Sequence, residues 1–232
     1  MKLDRHLFAP ATTVVLGLSL GGAAFAQAPS DTNVADPNHG ATIAAQGTPA
    51  GAPGCAQCHA FNGASDGSGA FPRIAGLSAY YLAKQLRDFA SGTRLNAIMS
   101  PIAKALTAND IADVAAYYAA VNAAFLPLRA PNPALVKDGE AVAKVGNASS
   151  GIQACDNCHG PEGAGEPPAI PYLAGQYETY IALELRMWQR GFRKSSPNQM
   201  AVVAKALSDA EIAAVAAYYQ QIRGTGDLSA SR

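Results

Sequence analysis

The sequence predicts an all-α protein built from two tandem copies of one domain. The two halves of the 232-residue chain align with an offset close to 100 residues, so that Gly40 matches Gly139 and Met99 matches Met200. Both halves carry apolar residues at helical spacing, and neither carries a convincing alternating strand pattern. Residues 152–171 are too rich in glycine and proline to form a strand. A duplicated domain of roughly 90 to 100 residues explains this pattern better than a solenoid, which needs three or more short repeats.

Each copy is predicted to contain three main helices. The middle helix of the first copy has apolar residues at Tyr81, Leu82, Leu86 and Phe89, which share one helical face. A first helix is expected near 39–46 and 138–145, and a middle helix near 78–90 and 177–190. The last helix is expected to end near Val121 and Ile222.

Capping boxes mark the start of the last helix in both copies. Thr107 with Asp110 and Ser208 with Glu211 have the spacing at which each side chain hydrogen-bonds the backbone of the other residue. The last helix is therefore the element whose beginning the sequence predicts most closely.

The chain divides into an export signal, two domains and a linker. Lys2 and Arg5 precede an apolar run over residues 7–25, and cleavage is expected before Gln27. An uncleaved membrane anchor is the alternative. The predicted segments are a signal peptide at 1–26, domains at 37–121 and 136–222, and a proline-containing linker at 122–135.

Composition gives no electrostatic case for nucleic-acid binding. The chain has 17 basic residues (lysine and arginine) and 17 acidic residues (aspartate and glutamate), and 49% of its residues are apolar. Nucleic-acid binding favours a basic surface, and the charge balance of this chain does not indicate one. The apolar content is sufficient for two hydrophobic cores.

Two Cys-x-x-Cys-His motifs carry the chemistry. Cys55, Cys58 and His59 form the first, and Cys155, Cys158 and His159 form the second. Two thiols at this spacing can each add to one vinyl group of the same porphyrin, and the histidine can then bind the iron. The motifs predict two covalently bound haem c groups, one in each copy.

The cysteines are open to three other interpretations. A thioredoxin-like redox pair needs a strand before it and a helix from its second cysteine, and neither copy has that setting. A zinc site made of two identical motifs that both end in histidine would be unusual. Disulfides are common in exported proteins, but the repeated spacing favours haem.

Met99 and Met200 are the candidates for the second axial ligand of each iron. They lie at matched positions, 40 and 41 residues after their histidines. Each is predicted to lie in a loop just before the last helix. Met187 has no counterpart in the first copy and is expected to fill the core. His39 stands where the second copy has Asp138, so it is expected at the surface.

Pro72 and Pro171 follow the motif histidines by 13 and 12 residues. A backbone carbonyl in this loop could accept a hydrogen bond from the outer nitrogen of the histidine, which would fix the ring and its tautomer. The alternative is a proline that only shapes a turn.

These features together resemble class I cytochromes c. The segments from Ile74 to Leu82 and from Tyr172 to Ile181 are similar to the loop and helix of that family, and two such domains in one exported chain resemble cytochrome c4. The resemblance covers about residues 37–222. One departure is Ala60, where glycine usually follows the histidine, as Gly160 does in the second copy.

The resemblance implies a periplasmic electron carrier, soluble or loosely attached to the membrane, that serves redox partners such as a respiratory donor and a terminal oxidase. The alternatives are a haem subunit of a dehydrogenase or oxidase complex, and a di-haem enzyme. An enzyme would need an open axial position, and the presence of both methionines argues against one. The resemblance, supported by the short proline-containing linker, further implies that the domains pack together rather than moving independently, and Leu126 and Leu128 could lie at the interface.

Overall fold

The computed structural model describes residues 34–126 and 130–223, and these residues form an all-α fold with two copies of one helical unit. The predicted signal peptide, Leu128 of the linker and the C-terminal tail lie outside the described residues. Isolated bridges are the only β-type pairing within the described residues. None of the helices described there has the length and apolar character needed to cross a bilayer.

The helices follow the same order in both copies. The first copy contains α1 Pro37–Gln46, α2 Ala56–His59, α3 Ala79–Ser91, α4 Met99–Lys104 and α5 Ala108–Ala120. The second contains α6 Pro133–Lys144, α7 Asp156–His159, α8 Glu178–Gln189, α9 Met200–Ala206 and α10 Asp209–Gln221, with 3₁₀ turns at Ala148–Ser150 and Pro161–Gly163.

The three predicted helices of each copy are present, and the capping boxes of α5 and α10 form with both of their hydrogen bonds. Helix α6 begins at Pro133, inside the range 122–135 that was predicted as linker. The side chain of Asn132 accepts a hydrogen bond from the Ala134 amide, and Pro133 occupies the first helical position. Proline is well suited to that position because its missing N–H would have no partner there.

The first and last helices of each copy cross at backbone contact. A Cβ atom added at Gly40 would lie 2.1 Å from the carbonyl oxygen of Asp113, and one added at Gly139 would lie 2.0 Å from that of Ala214. Only glycine allows this approach, which explains why the repeat keeps glycine at both positions.

The core of each copy lies among its first, middle and last helices. In the second copy Ile181, Trp188, Ile212 and Tyr219 belong to one buried cluster. The first copy has smaller clusters, one of them around Ile43, Val114 and Tyr118.

The two copies pack against each other, as predicted. The Gln176 side chain bonds both backbone groups of Arg73, accepting from its N–H at 3.0 Å and donating to its C=O at 2.8 Å. The hydroxyl of Tyr172 donates to the Ala75 carbonyl at 2.8 Å. Leu126 packs on an alanine cluster of the first copy and the linker, which includes Ala64 and Ala75.

His39 is partly exposed, as predicted, but it also forms an ion pair with a buried carboxylate. Its Nδ1 lies 2.8 Å from Oδ2 of Asp113, whose second oxygen accepts the Asp36 amide at 2.7 Å. The hydrogen bond to Asp113 raises the pKa of His39 above its ordinary value of 6.5. Protonated His39 therefore stabilises the fold below the unfolded pKa, and this contribution disappears as the pH rises through the folded pKa.

We expect His39→Gln to lower the melting temperature at about pH 5 by more than it does at about pH 9. Thermal denaturation at the two pH values measures the difference. Lys144→Gln is the control, because the pKa of Lys144 is raised from 10.5 beside Glu140 and its charge stays constant over this range. If His39→Gln lowered the melting temperature equally at both pH values, the role of the ion pair would be contradicted.

Candidate functional site

Both Cys-x-x-Cys-His motifs fold into a single helical turn. In the first copy, the amides of Cys58 and His59 donate to the Cys55 carbonyl at 3.2 and 2.9 Å. The second copy repeats these two bonds at the same distances. The four cysteines form no disulfide. Each turn thus presents two free thiols and one imidazole from the same short segment.

The imidazole of each motif is held by a proline carbonyl. Nδ1 of His59 lies 3.0 Å from the carbonyl oxygen of Pro72, and Nδ1 of His159 lies 2.9 Å from that of Pro171. A carbonyl oxygen only accepts, so Nδ1 carries the proton and the lone pair is on Nε2. These are the two hydrogen bonds expected from the proline loops.

Burial keeps both imidazoles neutral. The two histidines are 8% and 7% exposed, and this burial lowers the pKa of His59 and of His159 below 6.5. A neutral imidazole with a free Nε2 is the form that binds a metal. Fixing the ring through Nδ1 is the usual way in which proteins orient a metal-binding histidine.

The cysteine environments disfavour the redox and zinc alternatives. Burial raises the pKa of Cys55 and of Cys155 to about 11, whereas redox-active Cys-x-x-Cys pairs have a lowered thiol pKa. Within the described ranges, no three histidine, cysteine or acidic side chains gather as they would around a metal ion. Zinc sites of the cysteine–histidine type need four such ligands together.

The two candidate distal methionines begin short helices rather than lying in a loop. Met99 is the first residue of α4, where its amide donates to Oδ1 of Asn96 at 2.8 Å. Met200 is the first residue of α9 and packs against the core of the second copy. Met187 lies half-buried within α8. The helices α4 and α9 were not predicted.

A covalent haem c in each copy fits the groups that the structure presents. The thiols are free, the imidazoles leave Nε2 available, and the two copies contain one set each. In addition, the Nε atoms of Arg94 and Arg193 are buried and have no hydrogen-bond partner among the residues that the structure describes. A buried donor needs an acceptor, and the carboxylate groups of a bound haem could supply one.

Comparison with known proteins identifies the family. The cytochrome c family model matches the chain twice, over residues 39–121 and 143–223. The chain belongs to the cytochrome c family. It carries two cytochrome c domains, and with the two motifs these bind two covalent haem c groups. Its relatives are named as electron-transfer proteins, so it is an electron carrier of the cytochrome c4 type rather than an enzyme.

Two curated relatives span most of the chain. A thiosulfate dehydrogenase electron acceptor of Thiomonas intermedia is 36% identical over 203 residues, covering 87% of this chain and 88% of the relative. Cytochrome c4 of Pseudomonas aeruginosa is also 36% identical, over 169 residues that cover 72% of this chain and 82% of the relative.

Solved structures agree with this assignment. Reduced cytochrome c4 of Pseudomonas stutzeri is 30% identical, with a TM-score of 0.69, and the match covers 81% of this chain and 99% of that one. A thiosulfate dehydrogenase of Marichromatium purpuratum is 38% identical, with a TM-score of 0.73. That match covers 80% of this chain but 40% of the longer dehydrogenase chain.

The structure reveals features of the site that sequence reasoning missed. Asp156, inside the second motif, accepts a hydrogen bond from the Tyr219 hydroxyl at 2.7 Å. In the first copy the matching Tyr118 hydroxyl instead donates to the Ala60 carbonyl at 3.3 Å. Buried polar residues on the middle helices, Gln85 and Glu184, were also missed. Their matched positions on otherwise apolar helix faces were the available signal.

Ala60 adopts a backbone conformation that favours glycine. Its φ and ψ are 58° and 158°, close to the 73° and 165° of Gly160 in the second copy. Side chains are strained in this region, and such strain costs about 1 to 3 kcal/mol. The departure noted in the sequence therefore leaves the path of the loop almost unchanged, at the cost of strain beside His59.

We expect Ala60→Gly to raise the free energy of unfolding of the haem-containing protein by about 1 kcal/mol, because it relieves this strain. The reciprocal Gly160→Ala should lower that free energy by a similar amount. Denaturant unfolding of both variants, followed by circular dichroism, measures the change. If Ala60→Gly were no more stable than the wild type, the strain would be absent.

Proposed function

We propose that this protein is an exported, periplasmic carrier that takes electrons from a thiosulfate dehydrogenase and passes them on toward a terminal oxidase. The observation that carries the proposal is its similarity, over almost the full length of both chains, to a protein named as the electron acceptor of that enzyme. A second relative with the same name, from Stutzerimonas stutzeri, is 40% identical over 169 residues.

Within this proposal, His59 with Met99 and His159 with Met200 are the axial ligands of the two irons. A haem iron bound by histidine and methionine supplies one-electron transfer with no open position for a substrate. His59 and His159 contribute an oriented Nε2, because their Nδ1 protons are held by Pro72 and Pro171.

The packing of the two copies supports internal electron exchange between the haem sites. Thr179 and Tyr177 of the second copy donate to the carbonyls of Gly69 and Ala64 in the loop that follows the first motif. The loop after the first motif is therefore bonded to the second copy, and the copies cannot move apart without breaking these bonds.

A haem subunit built into a larger complex is the second candidate. The favouring observation is the Marichromatium purpuratum protein, in which a region similar to this chain is part of a longer thiosulfate dehydrogenase chain. Copurification from native membranes and periplasm distinguishes the two, since a subunit stays with its complex and a free carrier does not.

Met99→Ala and Met200→Ala are each expected to open one iron to carbon monoxide, because each removes one axial ligand. Absorption spectra of the reduced protein with and without carbon monoxide report this binding. Met187→Ala is the matched control and should leave both haems unchanged. If both variants kept two six-coordinate, carbon monoxide-insensitive haems, the distal assignment would be wrong.

Mixing the oxidised protein with a thiosulfate dehydrogenase and thiosulfate tests the proposed donor. We expect both haems to become reduced in stopped-flow absorption traces, and to stay oxidised when either the enzyme or thiosulfate is omitted. Reduction that is equally fast without the dehydrogenase would contradict the proposal.

A further inference from the structure

Four side chains form a closed, buried ring between the two copies. Glu184 accepts from Arg94 at 2.6 Å through one carboxylate oxygen and from Arg193 at 2.7 Å through the other. On the opposite side, Oε1 of Gln85 accepts from Arg94 at 2.8 Å and from Arg193 at 2.9 Å. Each guanidinium therefore bridges an acceptor from its own copy and one from the other copy.

Each arginine of the ring also donates to a tyrosine hydroxyl of the opposite copy. Arg94 donates to the Tyr180 hydroxyl at 2.8 Å, and Arg193 donates to the Tyr81 hydroxyl at 3.3 Å. The backbone holds the two arginines beside each other, since their segments form an isolated antiparallel bridge. Both guanidiniums are thus fixed from several directions.

Aromatic faces cover the two guanidiniums. The Arg94 guanidinium lies 4.3 Å from the ring centroid of Phe89, and the Arg193 guanidinium lies 3.7 Å from that of Trp188. Such cation–π contacts strengthen when water is excluded. The ring is buried, with its four members between 4% and 8% exposed.

The ring follows the internal repeat with one departure in charge. Arg94 corresponds to Arg193, and Tyr81 corresponds to Tyr180, but Gln85 in the first copy corresponds to Glu184 in the second. Glutamine and glutamate have nearly the same shape. The ring therefore contains two positive charges and a single negative one, and that negative charge comes from the second copy.

The single carboxylate is ionised inside the ring. Burial alone would raise its pKa, but the guanidiniums of Arg94 and Arg193 outweigh burial and hold the pKa of Glu184 below its usual range. Among the side chains that contact the two buried guanidiniums in this ring, Glu184 supplies the one carboxylate, and the others are neutral acceptors. Removing one partner of a buried charge cluster is strongly destabilising, because the remaining charge stays desolvated.

We propose that Glu184 is a positioning residue that holds the two copies, and with them the two haem attachment sites, in the arrangement that permits internal electron exchange. This role rests on the internal exchange put forward under the proposed function. Glu184 acts through Arg94 and Arg193 and takes no part in binding haem iron. What matters is one carboxylate within the ring, whichever copy supplies it.

The test uses Glu184→Gln in the haem-containing full chain. We expect its melting temperature to fall by roughly 10 °C, the size that loss of a buried charge partner predicts for a domain pair of this length. After a fast pulse that reduces one haem, internal equilibration should slow or become dependent on protein concentration. Redox titration of each variant accounts for any change in driving force.

Glu140→Gln is the matched control. Glu140 pairs with Lys144 at 2.8 Å on one exposed helix face, where its side chain is 49% exposed. Exposed ion pairs contribute little to stability, so the melting temperature and the rate of internal electron exchange should both stay at wild-type values.

The exchanged variant Gln85→Glu/Glu184→Gln distinguishes the ring charge from local packing. The Gln85 side chain already contacts both guanidiniums, so a carboxylate there should restore melting temperature and internal exchange. Should Glu184→Gln fail to fold, Gln85→Glu alone provides the second measurement, and it should keep concentration-independent exchange.

Three outcomes would overturn the role of Glu184: wild-type exchange rates in Glu184→Gln, no rescue in the exchanged variant, or lost exchange in folded Gln85→Glu. Concentration-dependent exchange in the wild type would instead overturn the proposed internal exchange itself, and this role with it.

Discussion

The backbone contact between the first and last helix of each copy is the constraint on which the rest of the structure depends. Gly40 and Gly139 let these helices approach until a Cβ atom would overlap a carbonyl oxygen. That approach fixes the last helix, and with it the tyrosine pair near its end. The carbonyls of Tyr118 and Tyr219 then accept the amides of Gly76 and Gly175, in the loops after the motifs.

The loops that follow the motifs are anchored to the last helices, and this anchoring orients the imidazoles. The carbonyls of Pro72 and Pro171 can accept from the histidines only because their loops are anchored a few residues later on the last helix. The chain of contacts runs from a helix crossing to a loop, and from the loop to a ring nitrogen. A cofactor site of fixed geometry thus follows from packing that lies outside the motif itself.

The two copies differ beside their motifs and also where they meet. Asp156 supports Tyr219 in the second copy, while Tyr118 contacts a strained loop at Ala60 in the first. At the interface, one carboxylate serves arginines from both copies. Two nearly equal units therefore form two unequal sites within one chain.

The sequence by itself determined the duplication, the main helices, the haem motifs and the proline loops. These features are local: they depend on spacing along the chain, on capping residues such as Thr107 and Ser208, and on periodic apolar positions. It could not predict the short helices that begin at Met99 and Met200, because single turns depend on surrounding contacts more than on intrinsic propensity. Only the tertiary structure decided that Gln85 and Glu184 meet Arg94 and Arg193 across the two copies. Those partners are about 100 residues apart in sequence, and burial between two folded surfaces is what turns four ordinary polar side chains into one ring.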